Sequence, residues 1–223
     1  MKDNLINVIF IIDESGSMYA SKSDVVGGFK KVIDEQKAIK EGECIVSLYT
    51  FDGTVNEHYI GKKLEEVKDL DYNPGGVTAL NDAVGTAVTK VGKWLSNMKE
   101  EDRPSQNLVV IMTDGEENAS HEYTIEKVRE MIKHQEEKYN WSFIYMGSDL
   151  TNTKDATSLG ISNQAYSTRA DFSNNYSIVG NSVSAYRMSE SRSLAKEYMD
   201  TCLYMSAEET TSKYKADTGL DMN

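Results

Sequence analysis

The sequence predicts an α/β fold: a doubly wound, mostly parallel central sheet with one antiparallel edge strand, helices on both faces, and a C-terminal helical extension. Short apolar runs rich in β-branched residues recur along the chain, and such runs read as strands buried on both faces. Segments with helical apolar spacing lie between them. One pair of runs is joined by Asp52-Gly53, a strong hairpin turn signal, which makes one strand antiparallel.

The first strand is the nearly continuous run from Leu5 to Ile12. The loop Asp13-Glu14-Ser15-Gly16-Ser17 follows it. Val25, Val26, Phe29, Val32 and Ile33 mark a helix from about Ser21 to Lys40, ended by Glu41-Gly42. Cys44 to Phe51 is a dense apolar strand, and Thr54 to Ile60 alternates like an edge strand. Asn73-Pro74-Gly75-Gly76 is a loop by composition. Leu80, Ala83, Val84, Ala87, Val88, Val91, Trp94, Leu95 and Met98 then trace a clear amphipathic helix. Arg103-Pro104 breaks the chain before the strand Leu108 to Met112, which ends at Thr113-Asp114-Gly115. Ile125, Val128, Met131 and Ile132 mark a further helix, and Trp141 to Met146 a further strand.

The pattern weakens after about Gly160. Gln164 to Thr168 reads as a last short strand, and Val183, Tyr186, Leu194, Tyr198 and Leu203 as one or two helices. The tail from about Ala207 is polar and reads as frayed. The expected division is a domain over residues 1–165 and a helical extension over 166–223, packed on or near it.

A chain of 223 residues with 39% hydrophobic and 27% charged residues has an ordinary globular balance. Its net charge of -12 argues against a nucleic-acid partner, which needs clustered Lys and Arg. Cys44 and Cys202 stand far apart without a CxxC pattern and read as reduced, buried thiols. No apolar run approaches the ~20 residues of a membrane span, and Lys2-Asp3 lead directly into the first strand, so no membrane contact and a cytoplasmic location are expected.

Right-handed crossovers bring the loops that follow parallel strands to one edge of the sheet. Asp13, Ser15 and Ser17, then Thr78, then Asp114 each stand at a strand end or at a helix entrance, and the three segments are expected to converge on that edge. Two carboxylates and three hydroxyls are hard oxygen donors, enough for an octahedral Mg²⁺ with one position open. Asp and Ser also favour turns and helix caps, and Thr78 suits an N-cap. Asp82 suits the first turn of the helix that begins at Leu80. His58, His121 and His134 show no zinc spacing, and His121 reads as a solvated loop residue.

These three elements, in this order and in these strand contexts, resemble the metal-ion-dependent adhesion site of von Willebrand factor type A domains, over about residues 5 to 165. The resemblance implies that Ser15, Ser17 and Thr78 ligate the metal by their hydroxyls, and Asp13 and Asp114 directly or through water. It implies a divalent cation, Mg²⁺ first and Mn²⁺ or Ca²⁺ as alternatives, whose sixth position takes water or an Asp or Glu from a partner protein. Glu14, Met18, Gly76, Glu116 and Glu117 are then the expected contact surface.

The expected function is a non-enzymatic, metal-dependent protein-binding module, an intracellular adaptor or assembly component of bacterial or phage origin. One alternative is a metal-dependent hydrolase or phosphotransferase using Asp13, superficially similar to haloacid-dehalogenase phosphatases. Those want a second Asp two residues after the first, where this chain has Ser15. Another is a structural part of a larger particle such as a phage, a secretion system or an AAA+ ATPase complex.

Overall fold

The computed structural model describes residues 1–147, 153–161, 164–166, 172–189 and 197. Six strands form one sheet: β1 (Lys2–Asp13), β2 (Glu43–Phe51), β3 (Val55–Lys63), β4 (Pro104–Thr113), β5 (Ser142–Gly147) and β6 (Gln164–Tyr166). Their spatial order is β3-β2-β1-β4-β5-β6. Among the described residues only the β2–β3 pair is antiparallel. Its turn is closed by Asp52, whose Oδ1 accepts from Thr54 N at 2.8 Å and Thr54 Oγ1 at 3.0 Å. The α-helices that can be followed among the described residues are α1 (Lys22–Ala38), α2 (Leu80–Ser96), α3 (Ile125–Tyr139), α4 (Thr153–Leu159) and α5 (Phe172–Met188).

Side chains of β1 alternate between two cores, as a strand buried on both faces must. Ile6, Val8, Phe10 and Ile12 pack with Val25, Phe29, Val32 and Ile33 of α1. Ile9 and Ile11 pack with Ala83, Val84, Ala87, Val88 and Val91 of α2 and with Val128 and Ile132 of α3. Phe10 meets Phe29 edge-on at 5.2 Å between centroids. Because β2 lies on one side of β1 and β4 on the other, the loops after β1 and β4 meet at a switch point of the sheet.

The first core is completed by α5, which contributes Tyr176, Val179, Val183 and Tyr186. The Tyr176 ring lies so close to Gly28 that a Cβ there would sit 2.0 Å from it, so only glycine admits this contact. Gln36 Nε2 donates to Gly180 O at 3.1 Å and Ser184 Oγ at 2.9 Å. Arg187 donates to Gln36 O at 2.6 Å and Ile39 O at 3.0 Å, satisfying carbonyls at the end of α1. Residues 172–188, expected in the extension, therefore wall one face of the sheet.

One element differs at its start. Pro104 opens β4 instead of breaking the chain before it, because a first strand residue can lack an N–H. The polar residues that follow stay buried by bonding to residues of the neighbouring strands. Asn7 Nδ2 donates to Asn107 Oδ1 at 3.2 Å, Ser47 Oγ donates to Asn7 Oδ1 at 3.1 Å, and Gln106 Nε2 donates to Ser142 Oγ at 3.1 Å. Thr168, Leu194, Tyr198, Cys202, Leu203 and the tail from Ala207 lie outside the described residues. Cys44 is free and buried, and burial pushes its thiol up to about 12. Among the described residues no helix is long and apolar enough to cross a membrane.

Candidate metal centre

Asp13 is the last residue of β1 and is fully buried. Its Oδ1 accepts from Ser15 N at 2.7 Å, which bends the chain at once. Its Oδ2 accepts from Thr113 Oγ1 at 2.5 Å. The bend brings Ser15 Oγ and Ser17 Oγ to 3.0 Å from each other. Two backbone bonds tie this loop to the next: Gly75 N to Glu14 O at 2.8 Å and Gly16 N to Gly76 O at 3.2 Å. Gly76 has a φ of 79°, a left-handed conformation that favours glycine. Tyr72 OH closes the base by donating to Asp13 O.

Thr78 is buried two residues ahead of α2. Its N–H donates to Asn118 Oδ1 at 3.0 Å, and its carbonyl accepts from Asn118 N at 3.0 Å and Ala119 N at 3.1 Å. The 76–78 loop is thereby fixed to the loop that follows β4.

Gly115 shows where the three loops meet. A Cβ built there would lie 2.9 Å from Thr78 Oγ1, 3.3 Å from Ser17 Oγ and 3.5 Å from Asp13 Oδ2. Oxygens from two of these loops and the end of β1 thus border one small space that glycine leaves open. Beside Gly115 in the chain, Asp114 is buried, and neither of its carboxylate oxygens has a hydrogen-bond partner. A buried carboxylate without a donor is costly unless a cation neutralises it. Burial pushes the Asp13 carboxyl up to about 6, and the Asp114 charge adds to this, against the bonds from Thr113 and Ser15. A divalent cation would offset both penalties.

The donor set fits Mg²⁺: hydroxyls and carboxylates, with no sulfur or imidazole. Among the described residues no three His, Cys, Asp or Glu side chains cluster as a metal site, so this one depends on its hydroxyls. Gly115→Ala should keep the fold and weaken Mg²⁺ binding by about tenfold or more, since a methyl group would crowd Thr78 Oγ1. Calorimetric titration with Mg²⁺ measures this, and an unchanged affinity would place the cation elsewhere.

The expected contact surface is only partly a surface. Gly76 and Glu116 are exposed at this edge. Glu14 is half-buried, and its Oε1 accepts from Asn73 N. Met18 is fully buried in the core beneath α1, because the 3-10 turn Gly16–Ser21 directs its apolar chain inward. It presents nothing to a partner. Glu117 is occupied as a brace. It accepts from Asn81 N at 2.8 Å, Ala119 N at 2.9 Å, Ser120 N at 2.8 Å and Ser120 Oγ at 2.7 Å. Asp82 does the same work from the first turn of α2, accepting from His121 N, Glu122 N and Tyr123 N at 2.8–2.9 Å. Two exposed apolar residues adjoin the ligand loops instead, Tyr19 at 74% and Val77 at 51% exposure.

Sequence reasoning also missed Thr113 as the residue that pins Asp13. Strand register held the signal, because Ile12 pairs with Met112 and the next residues are then neighbours.

Solved structures resemble this arrangement at the level of fold. One is proximal thread matrix protein 1 from the mussel byssus with a zinc-occupied metal-ion-dependent adhesion site: 16% identity, TM-score 0.55, covering 81% of this chain and 46% of that one. This chain therefore spans about half the length of the mussel protein. Another is manganese-loaded TRAP protein from Plasmodium vivax, with 16% identity, TM-score 0.52, and 78% and 72% coverage. A third is the vWF domain of the type V pili tip protein Mfa5 from Porphyromonas gingivalis, with 9% identity, TM-score 0.58, and 83% and 97% coverage. No curated protein sequence matches this one. The family model of the von Willebrand factor type A domain matches residues 7–181, from β1 into α5, and the chain belongs to that family.

Proposed function

We propose that this protein is a non-catalytic module that captures a carboxylate of a partner protein through Mg²⁺ held by Asp13, Ser15, Ser17, Thr78 and Asp114. We further propose that it acts in the cytoplasm as an adaptor or assembly component. One observation carries the reading: Asp114 is buried with both carboxylate oxygens unpartnered, and its charge acts on the buried Asp13 carboxyl. Family members commonly mediate metal-dependent protein–protein interactions. Zinc and manganese occupy two of the similar structures, which supports a divalent cation here.

When bound, the cation supplies a Lewis-acidic position for an anionic oxygen from outside. The three hydroxyl ligands add no negative charge, so two carboxylates leave that position attractive to a third. Ser15 stands where a phosphotransferase of the aspartate type would need a second carboxylate. Tyr19 and Val77 give a partner apolar area beside its acidic group. The free thiol of Cys44 suits a reducing compartment.

The test is crosslinking capture on the immobilised protein in Mg²⁺, in EDTA, and with Thr78→Val in Mg²⁺. Capture should disappear in the last two conditions while circular dichroism stays unchanged. Capture that persists through both would end the proposal.

A further inference from the structure

At the N-terminal ends of the strands, away from the metal loops, lies a cavity of about 510 Å³ between α2, α3 and the start of β4. That volume falls in the range of small-molecule sites. Val88 and Leu95 of α2, Met131 of α3 and the buried Trp141 give it apolar walls. Lys93, Arg103 and His134 supply its charged and titratable groups. Among the described residues no acidic side chain lines it, in a chain with 36 Asp and Glu and a net charge of -12.

The basic groups are held in place or uncommitted. Arg103 is anchored at the edge by bonds from Nε and Nη2 to Met98 O at 3.2 and 3.0 Å. Among the described residues neither Lys93 nor Arg103 joins an ion pair, although seven other lysines do. His134 stands edge-on to the exposed Tyr139 ring at 5.6 Å.

Gly92 adds an independent observation. It sits inside α2 and lines the cavity, yet a Cβ built there would meet nothing within 4 Å. Glycine in a helix interior costs stability relative to alanine. No close packing demands it here, and its structural effect is to keep the cavity open.

We propose that this cavity binds a small amphipathic carboxylate, with an alkyl or aryl chain against Trp141 and Met131 and its anionic head at Lys93 and Arg103. Apolar walls with a cationic edge match that chemistry and disfavour amphipathic cations. The site is separate from the metal centre and does not depend on it.

The experiment is calorimetric titration with decanoate, decanol and decyltrimethylammonium, all in EDTA so that the metal loops play no part. Decanoate should bind at one site, with the alcohol and the ammonium each weaker by about fivefold or more. Gly92→Leu, which fills open space, should keep the circular dichroism spectrum and weaken decanoate by about tenfold or more. Lys93→Glu should weaken it by about fivefold and carries the test if Gly92→Leu misfolds. Equal binding of decyltrimethylammonium or decanol, unchanged binding in a folded Gly92→Leu or in Lys93→Glu, or no saturable binding of decanoate would each overturn the proposal.

Discussion

Asp114→Asn should stabilise the metal-free protein and abolish its response to Mg²⁺. Both effects come from the same two oxygens. They are buried and accept no hydrogen bond, so without a cation a charge there has no partner. Replacing it by a neutral amide of the same shape should raise unfolding free energy in EDTA by about 1–3 kcal/mol. In Mg²⁺ the order reverses. At a free concentration a hundredfold above Kd, a cation that binds only the native state stabilises the parent protein by about 2.7 kcal/mol. For a chain of this size that corresponds to a rise in Tm of roughly 5–10 °C. The variant lacks one of two anionic ligands and should show almost none of it. Thermal unfolding of both proteins in EDTA and in Mg²⁺ should thus give curves whose ranking switches. A variant less stable than the parent in EDTA would mean that Asp114 has an internal partner. A variant with a full Mg²⁺ response would put the cation somewhere else.

Much of the molecule follows from its apolar pattern, and the exceptions share physical causes. β1, β2 and β5 are legible because parallel strands covered on both faces must be apolar throughout. The loops after the parallel strands β1 and β4 must then emerge at one edge, which brings Asp13, Ser15, Ser17 and Asp114 together, and Thr78 joins them at the entrance of α2. Ser105, Gln106 and Asn107 hid the first half of β4, because they are buried through hydrogen bonds to neighbouring strands that no hydropathy pattern records. Tyr176, Val179, Val183 and Tyr186 were hard to weigh among the Asn, Ser and Gly of α5. Those small residues are what let α5 approach α1 closely: Gly180 O accepts from Gln36, and Ser184 Oγ accepts from it as well. Met18 is buried and Glu117 is taken up by local bonds for a different reason. Nearness along the chain to a ligand does not fix which way a side chain points, and local bonding decided both.

A chain ending at Tyr166 should lose the cooperative folding of the full chain. That chain retains β1 to β6 and all residues proposed to hold the cation, and it lacks α5. Removing α5 strips Tyr176, Val179, Val183 and Tyr186 from the core over β1 and β4. At about 1.5–3 kcal/mol for each side chain, that is about 6–12 kcal/mol, against a typical domain stability of about 5–15 kcal/mol. It also removes Arg187 from the carbonyls at the end of α1. Within the intact chain, Tyr176→Ala leaves a hollow against Gly28 and Met112 and should cost about 3–5 kcal/mol in urea unfolding. If the chain ending at Tyr166 unfolded cooperatively with an unchanged Tm, α5 would be an appendage on a finished sheet. If it collapsed as expected, α5 would be the wall that holds β1 in position, and with it Asp13 at the edge where the loops meet.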